Sequence, residues 1–384
     1  MDNSKNKIGI IAPFDEPNYG TVLQAFALQK KLSDYGFYTE YIRFNYSTAS
    51  LWKFLISNVI SLLKRFLHKQ KLMRTSIDDY SFFHQKEFKP IIEGYKAFVN
   101  KYTRFSRRTY TPHSLHHTTE YGCFIVGSDQ TWSEARCNSK HPYYLADVPI
   151  KSKKYAYAPS IGTTEISPRY LIKLMDGIKD FDMLSCREKS NCDVLSKKLG
   201  RKVYHVVDPT LLLSPKDWNE IAASHNLPPR GYVLCYILGE KDIIAEFAEK
   251  LGKSKELPVY YIVTRPKYLK KQNTLYPTPE FFISLIRDAA FVVTDSFHGT
   301  IFSINYGVSF YSFSKREGNV RCIDNARICE FLGLLDLENR FVDESSIMKI
   351  SFSPIDYVLV QSKLNKLREN SICYISKLVG NYQH

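Results

Sequence analysis

Phe291–Tyr311, FVVTDSFHGTIFSINYGVSFY, decides the fold. Phe291–Thr294 is apolar and rich in β-branched residues, which suits a parallel strand buried on both faces. Asp295–Thr300 reads as a polar turn containing Ser296, His298 and Gly299. The apolar pattern resumes over Ile301–Tyr306 as a short helix that Gly307 can stop. A strand running into a helix N-terminus points free backbone N–H groups at the space above the sheet, a place that suits an anion. His298 adds a titratable donor there. The same residues also suit a capped helix with a hydrogen-bonded structural histidine.

Outward from this stretch, the strand–turn–helix unit recurs. Ile8–Phe14 reads as a first buried strand, Asp15–Gly20 as a turn and Thr21–Tyr35 as an amphipathic helix. Val22, Leu23, Phe26, Ala27, Leu28 and Leu32 form the apolar stripe of that helix. Phe37–Phe44 completes a βαβ unit that lacks G-x-G-x-x-G and so carries no dinucleotide fingerprint. Asn18, Tyr19 and Gly20 fall at a strand's carboxyl end, where α/β sheets place ligands; tight-turn chemistry is the plainer account of them.

Tyr121–Val126 is a further strand, ending in Gly127-Ser128-Asp129-Gln130-Thr131-Trp132. A carboxylate and an amide there can bind sugar hydroxyls, and an indole can pack on a pyranose face; an Asx turn is the plainer account. Strands over Lys154–Pro159, Phe181–Cys186 and Val203–Val207 alternate with helices over Pro168–Lys179 and Asn191–Leu199. Arg187 sits at one strand end, either aimed at a ligand or paired on the surface with Glu188. Strands over Gly231–Leu238 and Val259–Val263, with helices over Asp242–Leu251 and Glu280–Asp288, lead back to the opening stretch. Asp78–Tyr110 reads as helix and then loop. The expected class is α/β with two Rossmann-like domains, 1–215 and 228–345, and a C-terminal helical segment over 354–380.

The chain has 384 residues, long enough for two cores, and a formal net charge of +14. Such an excess of Lys and Arg favours anionic partners, although a solvated basic surface accounts for it as well. No zinc-finger spacing, basic zipper or RNA-binding aromatic motif is present, so nucleic acid is not an expected partner. No metal-ligand cluster is visible, and no metal is expected. None of the eight cysteines forms a C-x-x-C pair. Met1–Lys7 is polar, without a secretory signal, so the expectation is a cytoplasmic protein with no disulfide framework. Leu51–Met73 interrupts the α/β rhythm. On a helix, Trp52, Leu55, Ile56, Val59, Leu63, Phe66 and Leu67 share one face, while Lys53, Lys64 and His68 share the other. Lys53 and Asn58 break any continuous span. A helix packed on its own domain and a helix lying on an anionic membrane, as a peripheral contact, both fit.

Five blocks in this order and spacing carry a resemblance: NYGTVLQAFALQ, FIVGSDQTW, SCREKS, VDPTLLLS and TDSFHGTIFS. The chain, from Ile8 to about Phe341, resembles the polysaccharide pyruvyl transferase family. The resemblance implies a GT-B-like arrangement with an interdomain cleft, the acceptor on the N-terminal side and the donor on the C-terminal side. It implies phosphoenolpyruvate as co-substrate, with no other cofactor. It also implies a sugar acceptor on an undecaprenyl-diphosphate-linked repeat unit of a bacterial surface polysaccharide, converted to a pyruvate ketal with release of phosphate. Arg187 matches the arginine of the family's S-x-R-E block, and His298 matches its second-domain histidine. Where some branches read R-L-H, this chain has Ser296-Phe297-His298; Arg316, Arg321 and Arg327 are the candidates to replace the absent arginine. The expected catalytic set is His298, Arg187 and Asp129. The expected donor set is Arg187, Ser296, His298, Gly299, Thr300 and Arg321. The expected acceptor set is Asn18, Tyr19, Gln24, Asp129, Gln130 and Trp132. The alternatives are a nucleotide-sugar glycosyltransferase using the same cleft and a membrane-bound assembly protein without turnover.

Overall fold

The computed structural model describes residues 7–45, 89–134, 142–239, 242–264, 271–317, 320–321, 325–343 and 353–383. The amphipathic segment 51–73 lies outside them. The first half of the chain runs β1 (Lys7–Ile11), α1 (Tyr19–Asp34), β2 (Tyr38–Phe44), α2 (Lys89–Tyr102), β3 (Phe105–Tyr110), α3 (Pro112–His116), β4 (Cys123–Val126), β5 (Lys153–Ala156), α4 (Pro168–Ile178), β6 (Leu184–Cys186), α5 (Lys189–Leu199) and β7 (Val203–His205). Its parallel sheet has the order β3-β2-β1-β4-β5, and a bridge between Tyr155 and Met183 carries it on to the β6-β7 pair. The strand order therefore reverses between β1 and β4, which in doubly wound sheets opens a crevice at the carboxyl ends.

After α6 (Pro215–Asn219), the second half repeats the plan. It comprises β8 (Val233–Tyr236), α7 (Asp242–Lys255), β9 (Val259–Ile262), β10 (Thr274–Leu275), α8 (Pro279–Asp288), β11 (Phe291–Thr294), α9 (Phe297–Tyr306), β12 (Ser309–Phe313), a β13–β14 pair (Arg316–Glu317 and Val320–Arg321), α10 (Asn325–Gly333) and β15 (Phe341–Val342). The order β10-β9-β8-β11-β12-β15 reverses between β8 and β11. The two sheets thus share one winding, and the opening stretch supplies the second one's switch-point strand and helix. The chain is α/β with two Rossmann-like sheets in a GT-B-like arrangement. The last helix, α11 (Tyr357–Gln383), is continuous and returns to the first half: Tyr374 Oη donates to Ala156 O at 2.6 Å, and Ser371 Oγ accepts from Val207 N at 2.9 Å. Among the described residues no helix is long and apolar enough to cross a membrane.

Three local readings differ from expectation. The loop anticipated before Tyr110 contains edge strand β3, whose FSRRTY sequence shows no alternation because Arg107, Arg108 and Thr109 are all exposed between the buried Ser106 and Tyr110. Charged edge strands resist pairing with other chains. Helix α9 starts at Phe297 instead of Ile301, because Ser296 Oγ accepts from Gly299 N at 3.2 Å and caps it. His298, Gly299 and Thr300 are therefore its first turn. Finally, in a chain expected to have no disulfide framework, Cys186 at the end of β6 and Cys192 on α5 are placed side by side with Cα atoms 5.9 Å apart, a spacing that a disulfide can bridge.

Candidate functional site

Carboxyl-end segments after β1, β4, β6 and β7 meet near the N-terminus of α9. The centre is Asp208, just after β7, whose side chain is fully buried. Its Oδ2 accepts from Arg187 Nη1 at 2.7 Å, and its Oδ1 accepts from Thr210 N at 3.0 Å and Thr210 Oγ1 at 2.8 Å. His298 Nε2 stands 3.6 Å from the same Oδ2. Burial alone would raise the Asp208 carboxyl; the His298 imidazole and the Arg187 guanidinium outweigh it and hold the group well below the ordinary carboxylate range. Arg187, itself buried, is held as a cation: desolvation works against its charge, but Asp208, Glu188 and Asp129 prevail. Its Nε and Nη2 have no hydrogen-bond partner among the described residues, and neither has His298 Nε2. Buried polar atoms left unsatisfied are costly, so donors of this kind mark a place where another acceptor is expected.

The flanking residues explain why Arg187 and His298 stand where they do. Arg187 lies over the Phe297 ring, 4.4 Å from its centroid. The Glu188 carboxylate stands 3.8 Å from Arg187 Nε and accepts its own hydrogen bonds from Ser160 Oγ and from Ile161 N at 3.2 Å. His298 rests against the backbone of Gly20 in the first turn of α1, where any Cβ would collide with the ring. Asp129 takes a left-handed conformation, φ 74°, unusual for a non-glycine residue. Its Oδ1 accepts from Gln130 N at 2.8 Å and its Oδ2 from Thr21 Oγ1 at 3.3 Å. Asp129, Arg187 and His298, expected from sequence as the catalytic set, are thus brought to one junction between the two halves.

Several other expected contacts fall elsewhere. Trp132 offers no face to a sugar: it is fully buried in the core of the first half, and its Nε1 donates to Tyr143 O at 3.1 Å. Truncating a buried indole of this kind costs about 3–5 kcal/mol, which accounts for the residue structurally. Gln24 is equally buried and supports the β1–α1 loop through Pro13 O at 3.0 Å and Thr21 O at 3.1 Å. Ser296 caps α9, Gly299 lets that helix pack closely on Thr294 and Tyr236, and the Thr300 hydroxyl bonds to Ser296 O and Ser312 Oγ. These three build the helix N-terminus and present no side chain of their own. Gln130 lies beside Gly162. Arg321 belongs to the β13–β14 pair. Of the three candidate replacement arginines, Arg327 on α10 lines the same cavity as Arg187, Asp208 and Phe297, and lies 5.6 Å from the Phe297 centroid.

Asn18 caps α1, its Oδ1 accepting from Thr21 N at 3.3 Å. Tyr19 stacks on Phe282 of α8 at 4.3 Å and donates to Pro277 O at 2.7 Å, tying the two halves together. Both line a cleft between the halves with Tyr95, Tyr236, Thr264 and Lys315. Sequence reasoning missed Asp208, although VDPT placed an aspartate at a strand's carboxyl end before a proline, the same signal that singled out Arg187.

Among solved structures, the chain is similar to a Polygonum tinctorium UDP-glucosyltransferase capable of glucosylating indoxyl, with 10% identity, 98% of each chain covered and a TM-score of 0.45. It is similar to the glycotransferase of kitacinnamycin, with 9% identity, 98% of this chain and 99% of the other covered and a TM-score of 0.48. It is also similar to Methanocaldococcus jannaschii UDP-GlcNAc 2-epimerase, with 12% identity, 80% and 83% covered and a TM-score of 0.41. No curated protein gives a significant match. The family model described as polysaccharide pyruvyl transferase matches residues 18–315, a span that begins at the cap of α1 and takes in Asp129, Arg187, Asp208 and His298, and the chain belongs to that family.

Proposed function

We propose that this protein transfers the pyruvyl group of phosphoenolpyruvate to two hydroxyls of one sugar, forming a ketal and releasing inorganic phosphate. The observation that carries this reading is the buried Arg187–Asp208–His298 cluster, with guanidinium and imidazole nitrogens that make no hydrogen bond among the described residues, where the carboxyl ends of the two sheets meet. Arg187 binds an oxyanion of the donor through its unpaired nitrogens. His298 delivers a proton to the donor's methylene carbon, so that positive charge develops at the carbon bearing the phosphate. One acceptor oxygen bonds to that carbon. The second replaces the phosphate, and the carbon–oxygen bond to phosphate breaks. Of the two hydroxyl protons, one restores the general acid and the other leaves with phosphate. Asp208 holds the imidazolium in place, and Asp129 orients or deprotonates the acceptor hydroxyl. The acceptor approaches through the cleft at Asn18 and Tyr95; a lipid-linked sugar, presented at a membrane surface, is the acceptor class proposed.

Two results test this. A thermal titration with phosphoenolpyruvate, using UDP-glucose as the control, is expected to raise the melting temperature with phosphoenolpyruvate alone. At about a hundred times Kd, mass action adds about 2.7 kcal/mol of stability. A response to UDP-glucose alone would favour sugar transfer from a nucleotide donor. His298→Ala is expected to lower phosphate release about 100- to 10,000-fold, the usual range for loss of a general acid, while leaving the melting temperature close to wild type. Phosphate release near the wild-type rate would remove the acid role.

A further inference from the structure

Helix α5 follows Arg187 and Glu188 directly, yet its capping residue Glu188 makes no side-chain cap hydrogen bond. The cap comes from the other half of the molecule. The Glu330 carboxylate on α10 accepts from Lys189 N, from Ser190 Oγ and from Ser190 N at 3.3 Å. A helix N-terminus is a seat for an anion, and here a side-chain carboxylate sits in it. The seat opens on a cavity lined by Arg187, His205, Asp208, Phe297, Arg327 and Glu330. Arg187, which lines it, is only 7% exposed, and its Nε and Nη2 make no hydrogen bond among the described residues. Arg327 precedes Glu330 by three residues on α10, hence on the same face, and it and Arg187 both lie against the Phe297 ring. Two guanidinium groups, a helix N-terminus and a carboxylate together form a site for an acidic oxyanion that already contains an acidic oxyanion.

We propose that the α5 N-terminus, with Arg187 and Arg327, is an oxyanion seat that Glu330 fills as an internal stand-in, and that a phosphate or carboxylate group of an incoming ligand displaces Glu330 from it. The proposal deepens the reading of the site as a donor site and rests on it for the ligand's identity, but the seat can be tested with inorganic phosphate alone. Displacement removes a like charge from beside the ligand and frees α10 from α5. Glu330 thereby sets the threshold for anion binding, and Arg327 supplies the cation absent at Ser296.

Inorganic phosphate is titrated calorimetrically into the full chain, its Glu330→Gln variant and its Arg327→Gln variant. Glu330→Gln keeps an acceptor for the Ser190 and Lys189 groups and removes the competing charge; phosphate should bind about tenfold tighter, equal to about 1.4 kcal/mol. Arg327→Gln should bind about tenfold more weakly. Equal or weaker binding by Glu330→Gln, or no binding of phosphate to any of the three, would overturn the seat and leave Glu330 as a latch between the halves. Should Glu330→Gln fold poorly, amide exchange in the wild type decides: saturating phosphate should speed exchange across α10, and unchanged or slower exchange overturns the proposal. Tighter phosphate binding by Glu330→Gln without any turnover of phosphoenolpyruvate would keep the seat and sink pyruvyl transfer. Turnover with phosphate affinity indifferent to Glu330 would do the reverse.

Discussion

Asp208→Ala is expected to cost about 3–5 kcal/mol of folding stability, the range for removing one partner of a buried ion pair. The side chain is fully buried, and its loss leaves the Arg187 cation with only Glu188, 3.8 Å away, and the Asp129 carboxylate to balance it. Thr210 loses both its backbone and hydroxyl contacts in the same step. Asp208→Asn separates charge from shape, because an amide oxygen can still accept from Thr210. Its expected signature is a change in acid sensitivity. The folded carboxyl is held below its unfolded value, so the stability it contributes is complete above about pH 4 and is lost as pH falls through the lower folded value. Urea unfolding of the wild type between pH 6 and pH 3 should therefore show a steeper loss than Asp208→Asn, whose starting stability is already lower. Parallel acid limbs in the two proteins would mean that Asp208 does not carry its charge into the folded core. Turnover should also fall in Asp208→Asn, because the imidazole loses the anion that balances it.

The sheets were legible because their central strands announce themselves. KIGII, CFIV, VLCY and FVVT are short apolar runs, and strands buried on both faces need no alternation to be recognised. Edge strand β3 escaped because its solvent-facing arginines made FSRRTY look like a basic loop. The site was legible in part for a related reason. Residues at the carboxyl end of a strand fall near a crevice whatever their neighbours, which located Asp129, Arg187 and His298. Sequence position does not say which way a side chain turns. Trp132 stands three residues beyond Asp129, yet its indole goes into the core while the carboxylate meets Thr21. Asp208 stood at a strand's carboxyl end as well, but the pairings that give it and Glu330 their roles were invisible for a further reason. Each acts on groups distant in sequence, Glu330 on a helix 140 residues earlier, and only the folded chain makes those pairs.

Gly20→Ala should lower activity while leaving the fold intact, although the residue lies outside the cluster itself. On an exposed helix, alanine is favoured over glycine by about 1 kcal/mol, so α1 alone would gain from the change. At this position, however, a Cβ would fall 2.5 Å from His298 Cγ and closer still to Nδ1 and Cε1. The imidazole is not the free end of a long side chain: it stands in the first turn of α9, between Gly20 and Asp208. Either the ring rotates away from Asp208 or the two halves part slightly. Misplacing a catalytic group by about 1 Å can cost about 100-fold in rate, and that is the loss expected in phosphate release, with the melting temperature within a few degrees of wild type. A double-mutant cycle makes the test specific. If Gly20 acts through His298, Gly20→Ala should cost nothing further in a His298→Ala background. Additive losses would place the effect elsewhere in the β1–α1 loop, and a normal rate in the single variant would mean that His298 does not rest on Gly20 when the reaction occurs.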